Sequence, residues 1–184
     1  MSEWIDTNVG QYLNFELDDT LYGINIRSIK EVLDLCEITP LPSSADYLRG
    51  VINLRGQVVP VIDLKLRFGL AVTEMTVDTC ILILEIKDSQ GELFLLGALA
   101  DSVREVIDLS ASDIDPPPQV GSSVNSAFIY GVGQHDGAFV VLLDAQSLSS
   151  HDDLEAIKVA ASVVGPEGES VDEHCHEEGV ASYE

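Results

Sequence analysis

Between residues 12 and 143 the chain consists of short apolar runs that come in pairs, each pair divided by a few turn-forming residues. This pattern constrains the fold more than any other feature, because a run too short for a stable helix and followed at once by a turn has little choice but to pair as a strand. Tyr12-Leu13-Asn14-Phe15-Glu16-Leu17 alternates with the period of a half-buried strand, Asp18-Asp19-Thr20 turns, and residues 21–26 return. Residues 51–54 and 58–62 flank Arg55-Gly56-Gln57, and Pro60 implies an edge or a bulge in the second of these strands. Residues 79–86 and 93–99 flank Asp88-Ser89-Gln90-Gly91, and residues 128–132 and 138–143 flank a glycine-bearing turn at 133–137. Residues 102–109 read as a further strand and Pro116-Pro117-Pro118 as a rigid connection. The expected class is all-β with short helices, as a barrel or a sandwich. A barrel is favoured, because closing the sheet leaves no edge on which a strand as apolar as Cys80-Ile81-Leu82-Ile83-Leu84 would be exposed.

Two helices are expected. Ile29, Val32 and Leu33 recur at i, i+3 and i+4 after Ser28, which predicts a short helix ending near Leu35. Near the C-terminus, Ser149, Ser150, Asp152 and Asp153 open a helix whose Leu154, Ile157, Ala161 and Val164 share a face, and Gly165-Pro166 stops it. Residues 165–184 hold seven acids, no Lys or Arg and few bulky apolar groups, so they read as an acidic disordered tail behind one folded unit at residues 1–164.

Charge and composition narrow the function. With 46% apolar and 22% charged residues, the chain has enough hydrophobe for a core. Its formal charge of −23 repels nucleic-acid phosphates and anionic lipid. The apolar stretches fall well short of the roughly 18 residues that a membrane-spanning helix needs. The N-terminus lacks the basic and apolar regions of a signal peptide, so a cytoplasmic location is expected. Three cysteines without metal or redox spacing argue against a disulfide framework and for reduced thiols. Six of the nine bases (Arg27, Lys30, Arg49, Arg55, Lys65 and Arg67) fall between residues 27 and 67 beside five acids. That local balance of +1 either marks a face turned toward a partner or is ordinary variation.

Catalytic signatures are missing: the sequence has no GxSxG, HExxH or GxxxxGK[ST] pattern. Gly131, Gly133 and Gly137 lie between two strands and precede no helix, so they read as hairpin residues rather than a phosphate loop. His174-Cys175-His176 offers only adjacent ligands within the tail, and no metal or other cofactor is expected. Cys80 has Ile81, Leu82 and Ile83 for neighbours and lacks the electropositive setting of a nucleophile; it reads as a small core or groove residue. His135 and His151 have no partner set that resembles a triad. The most distinctive stretch runs from Leu48 to Leu64, where Arg55 stands at a hairpin tip between apolar strands. Its guanidinium can present a fork to a carboxylate on a partner or bond its own loop carbonyls, and the sequence leaves both open.

This stretch resembles the signature of the CheW-like family, the coupling proteins of bacterial chemotaxis. The resemblance rests on Arg49-Gly50-Val51-Ile52-Asn53-Leu54-Arg55-Gly56 and Val59-Pro60-Val61-Ile62-Asp63-Leu64. It extends to Tyr22-Gly23-Ile24-Asn25-Ile26, Ile29-Lys30-Glu31-Val32, Asp101-Ser102-Val103-Arg104-Glu105-Val106-Ile107, Asp115-Pro116-Pro117-Pro118 and Leu142-Leu143-Asp144. It implies two small five-stranded, SH3-like β-barrels packed on a shared core. The implied function is that of an adaptor without catalysis, linking the cytoplasmic tips of methyl-accepting chemoreceptors to the regulatory domain of the histidine kinase CheA. Such a protein sits at the inner face of the membrane through receptor arrays. Carried over by position, Ile29, Glu31, Gly50, Arg55, Gly56, Cys80 and Val106 fall at places of receptor or kinase contact or of their support. Ile29, Cys80 and Val106 would line an apolar groove near the junction of the barrels, partly exposed. The chain departs from the family in its acidity, in a cysteine at 80 where an aliphatic residue is common, and in residues 165–184. Two other readings are an adaptor in a non-flagellar chemosensory pathway and a barrel that binds a small molecule or peptide.

Overall fold

The computed structural model of the chain describes residues 9–41, 45–88, 90–117 and 128–148. The expected C-terminal helix, the acidic tail, His151 and the His174-Cys175-His176 triplet lie outside the described residues.

Among the described residues eleven strands form two sheets. The first contains β1 (Val9–Leu17), β2 (Thr20–Asn25), β8 (Ser102–Ser110), β9 (Ile114–Asp115), β10 (Ile129–His135) and β11 (Ala138–Leu143), in the order β8-β1-β2-β11-β10-β9. The second contains β3 (Ile29–Asp34), β4 (Leu48–Leu54), β5 (Gln57–Asp63), β6 (Cys80–Lys87) and β7 (Leu93–Ala100), in the order β3-β6-β7-β5-β4. Each sheet curls into a small barrel, and each contains one parallel pair, β2 with β11 and β5 with β7. The all-β, two-barrel expectation therefore holds, with the two-residue β9 added to the first sheet.

Three of the four hairpins turn over two residues. The pairs Leu17↔Thr20, Leu54↔Gln57 and His135↔Ala138 close over Asp18-Asp19, Arg55-Gly56 and Asp136-Gly137. Both central residues have positive φ at every one of these turns, the geometry whose twist matches that of the flanking strands.

The core has three parts. Leu33, Ile52, Leu54, Val59, Val61, Ile81, Ile83 and Leu99 fill the second barrel. Tyr12, Ile107, Leu109, Val140 and Leu142 fill the first. Between the barrels, Leu13, Phe15, Leu17 and Ile24 of one sheet meet Leu82, Leu84, Ile86 and Leu96 of the other. The unbroken apolar run of β6 is thereby explained: Ile81 and Ile83 point into the barrel while Leu82 and Leu84 point into the shared core, and all four are fully buried. At roughly 1.5–3 kcal/mol per buried aliphatic side chain, such a strand stabilises the fold on both faces.

The sequence expectation fails at two places. Residues 29–35 are not a helix; a 3-10 turn at Ile26–Ser28, capped by Asn25 accepting from the Arg27 N–H at 2.9 Å, leads into strand β3. A register shift between Ile29 and Glu31 inserts one residue, so Ile29 and Val32 both face the shared core while Leu33 enters the second barrel. A bulged strand thus reproduces the i, i+3, i+4 spacing of a helix. Pro60 likewise does not mark an edge, since β5 lies between β4 and β7. Val51, opposite Pro60, turns its N–H and C=O toward Thr39, so this is a pair without mutual hydrogen bonds. The proline nitrogen then faces β7, whose pairing with β5 begins only at Val61, and its missing N–H costs no ladder bond.

Candidate functional site

The second barrel closes where the chain after β3 meets β4. The Thr39 N–H donates to the Val51 carbonyl at 2.8 Å, and the Val51 N–H donates to the Thr39 carbonyl at 2.9 Å. Gly50 sits beside this bridge, buried and at φ +144. It supports the surface from beneath and presents no side chain to a partner. Above the same closure, Arg55 Nη1 donates to Glu31 Oε2 at 2.9 Å and Nη2 to Glu31 Oε1 at 2.8 Å. The planar fork of Arg55 thus engages a carboxylate on the opposite edge strand of its own barrel. The two expected site residues Glu31 and Arg55 form a clasp across the seam of the barrel, with Gly56 beside them at the turn and its N–H donating to Asn53 Oδ1 at 2.8 Å.

Arg55 holds φ +52, a conformation costing a non-glycine residue on the order of 1 kcal/mol. Because its side chain is half exposed, the ion pair is expected to contribute only about 0.5–1 kcal/mol. Arg55→Gly should therefore leave the melting temperature nearly unchanged, with relief of the turn offsetting loss of the clasp. In a double-mutant cycle, Arg55→Met and Glu31→Gln should show a coupling of that size. A coupling of zero would mean that the clasp is ornamental.

The three residues expected to line a groove are all partly exposed. Ile29 and Val106 pack against the core shared by the two barrels. Ile29 pairs with Leu84 and Cys80 with Asp34, so these two stand at opposite ends of the β3–β6 ladder, roughly 13 Å apart at the rise of a strand. The Val103 backbone N–H of β8 faces the Cys80 sulfur, which brings Cys80 to the first barrel as well. Ile29 and Val106 thus flank the core that the barrels share, and Cys80 stands at the other end of the ladder, near Val103. Burial and the nearby Asp34 and Asp78 carboxylates push the Cys80 thiol above its ordinary pKa, and the Val103 amide offsets this only in part. A thiol so placed stays protonated at neutral pH and packs as a small apolar group.

Two polar centres brace the second barrel and its joint with the first, and neither was expected from the sequence. Asp63 is fully buried at the end of β5 and caps α1 (Leu64–Arg67). Its Oδ1 accepts from the Lys65 N–H at 3.1 Å, the Leu66 N–H at 3.4 Å and the Thr73 hydroxyl at 2.7 Å. Its Oδ2 accepts from Arg49 Nη1 at 2.9 Å and the Thr73 N–H at 3.0 Å. The second centre is Lys65, 6% exposed, whose Nζ lies 3.0 Å from Asp18 Oδ1 and 3.3 Å from Asp101 Oδ2. It joins α1 to the first turn of the other barrel. Burial alone would lower the Lys65 pKa, but the hydrogen bonds and charges of Asp18 and Asp101 outweigh it and hold the ammonium above its usual value. An acid followed by Leu-Lys-Leu-Arg is a helix-start signal; the partners Arg49 and Thr73 left none.

These contacts also account for the near-neutral segment. Arg49 pairs with Asp63, Arg55 with Glu31, Lys65 with Asp18 and Asp101, and Lys30 approaches Glu85 at 3.9 Å. Arg67 lies over the Tyr47 ring at 4.5 Å and the Phe128 ring at 5.1 Å, and its Nε donates to the Leu148 carbonyl. Five of the six bases thus serve the protein's own architecture, so the local charge balance does not by itself point to a partner. Among the described residues no group of His, Cys, Asp and Glu could hold a metal ion, and no helix is long and apolar enough to cross a membrane.

Comparison with known proteins agrees with this architecture. The model of the CheW-like domain matches residues 11–153. The chain is 31% identical to chemotaxis protein CheW of Treponema pallidum over 80% of its length and 86% of that protein's. To chemotaxis protein CheW of Rhizobium meliloti it is 32% identical over 82% and 94%. The crystal structure of the scaffolding protein TtCheW from Thermoanaerobacter tengcongensis superposes with a TM-score of 0.69 at 33% identity, covering 78% of this chain and 94% of that one. With two barrels on a shared core and a signature stretch that closes one of them and carries the buried Asp63, the chain belongs to the CheW-like family of chemotaxis proteins.

Proposed function

We propose that the protein is a coupling adaptor without catalysis. It binds the cytoplasmic tip of methyl-accepting chemoreceptors and the regulatory domain of a CheA-type histidine kinase, and it works at the inner face of the membrane within receptor arrays. The observation that supports this reading is that Ile29 and Val106, on different barrels, are partly exposed while packed against the core the barrels share, with Cys80 partly exposed at the start of β6. Partly exposed apolar side chains on a packed scaffold suit a helix laid into a groove. The barrel interiors, by contrast, are filled by their own side chains, including Leu33, Ile81, Ile83 and Val61 with no exposure, which favours an adaptor over a barrel that binds a small molecule. Residues 1–164 act as the binding unit in this reading, and residues 165–184 are an acidic appendage.

Ile29→Ser and Val106→Ser are expected to weaken binding to a receptor-tip fragment by about tenfold each, the loss typical of a buried interface anchor. The kinase regulatory domain should still co-elute with both variants. Titration of each variant against the two partners, with melting temperatures as a control on folding, checks this. Folded variants that bind the tip as tightly as the unaltered chain would overturn this assignment.

A further inference from the structure

The segment between α1 and β6, residues 68–79, carries Val72, Met75 and Val77 at 49%, 40% and 98% exposure. Among the described residues the other large exposed apolar side chains, Leu93 and Phe139, stand singly on separate hairpins. This loop is held in shape at both ends. Thr73 is anchored to buried Asp63 through its N–H and its hydroxyl. At the far end, Thr79 Oγ1 accepts from the Thr76 N–H at 2.8 Å and donates to the Glu74 carbonyl at 3.2 Å. An ordered backbone that leaves Val77 almost wholly, and Val72 and Met75 in large part, in water recovers little of their apolar surface within the chain.

The loop is continuous with Cys80, whose thiol donates to the Asp78 carbonyl at 3.4 Å. Exposed carboxylates border it: Glu74 and Asp78 on the loop, and Asp34 at the end of β3 opposite Cys80. A second copy, itself at −23, would meet this acidic rim with like charge. A helix with Lys or Arg beside apolar side chains would meet both features with complementary chemistry.

We propose that this loop is a specificity-determining surface for the receptor's helical hairpin, taking apolar side chains on Val72, Met75 and Val77 and a flanking Lys or Arg on Glu74 and Asp78. The proposal rests on the receptor-binding reading above. Its test uses the full chain, a receptor-tip fragment and the kinase regulatory domain. The combined variant Val72→Ser, Met75→Ser, Val77→Ser should bind the tip about tenfold more weakly and the kinase domain unchanged. The combined variant Glu74→Gln, Asp78→Asn should lose tip affinity at low salt, and the loss should fade as salt rises. If the serine variant binds the tip normally while Ile29→Ser does not, the loop is no part of the interface and the proposal falls alone. If the unaltered chain does not bind the tip, the proposal and the receptor reading fall together. Loss of kinase-domain binding instead, or a change of solution mass from dimer to monomer in the serine variant, would give the surface to another partner and overturn the proposal.

Discussion

Asp63→Ala is expected to lower the stability of the folded domain by about 3–5 kcal/mol, the loss typical of breaking a buried ion pair from one side. For a domain of this size that is a fall in melting temperature on the order of 10 °C. The carboxylate is fully buried and accepts five hydrogen bonds, from Lys65, Leu66, Thr73 twice and Arg49. Its removal strands two backbone donors at the start of α1, the Thr73 pair and a guanidinium that is itself only a quarter exposed. Asp63→Asn separates charge from shape, because the amide keeps the volume but turns an NH2 group toward donors. It should cost nearly as much. Thermal denaturation of both variants checks the expectation, and an unchanged melting temperature in either would mean that the Asp63 centre contributes little to the fold. The same variants should loosen the loop at residues 68–79, because Thr73 is held there by Asp63; faster amide exchange at Thr73 would report it.

Gly50→Ala should be comparably damaging by a steric route. A Cβ at this position would stand 2.1 Å from the Thr39 carbonyl oxygen and 2.7 Å from its carbon. Both are backbone atoms that cannot swing aside, and φ +144 already excludes most side chains. The bridge between Thr39 and Val51 that closes the second barrel must then open, at a cost of at least about 3 kcal/mol when strain and lost pairing are combined. Gly56→Ala is the control. Its φ is also positive, at +86, but nothing lies within 4 Å of the added atom, so only the conformational cost of about 1 kcal/mol applies. Denaturation midpoints for the two variants should differ accordingly, and equal midpoints would mean that the closure at Thr39 contributes little.

Both residues lie in the stretch by which the sequence resembles its family, yet the reason for their presence there is structural. Gly50 supports a barrel closure and Asp63 supports a capped turn and a loop, so this part of the signature reads as the frame of a surface more than as the surface itself. Arg55 is intermediate. Its fork engages Glu31 across the seam of the barrel, and half of its side chain remains in water.

What depends on neighbours along the chain is legible before folding. Strand period, apolar runs and turn residues place turns at Asp18-Asp19-Thr20, Arg55-Gly56-Gln57 and residues 133–137, because alternation and turn chemistry are set by local backbone sterics and burial; pairing tightens each to two residues and extends β10 to His135. The apolarity of β6 on both faces pointed to a closed sheet for the same reason. Residues 29–34 escaped that logic: a bulge gave a strand the spacing of a helix, and only the register against β6 distinguishes the two. Pro60 escaped it too, since which strand faces its nitrogen is a matter of sheet order. Folding alone brings Arg55 back to Glu31, gathers Arg49 and Thr73 on Asp63, and sets Lys65 between Asp18 and Asp101. Ionic and hydrogen-bonding side chains carry no periodicity that names a partner. Their pairing is selected by distance and desolvation after the barrels have closed, when the cost of a buried charge leaves each of them few places to go.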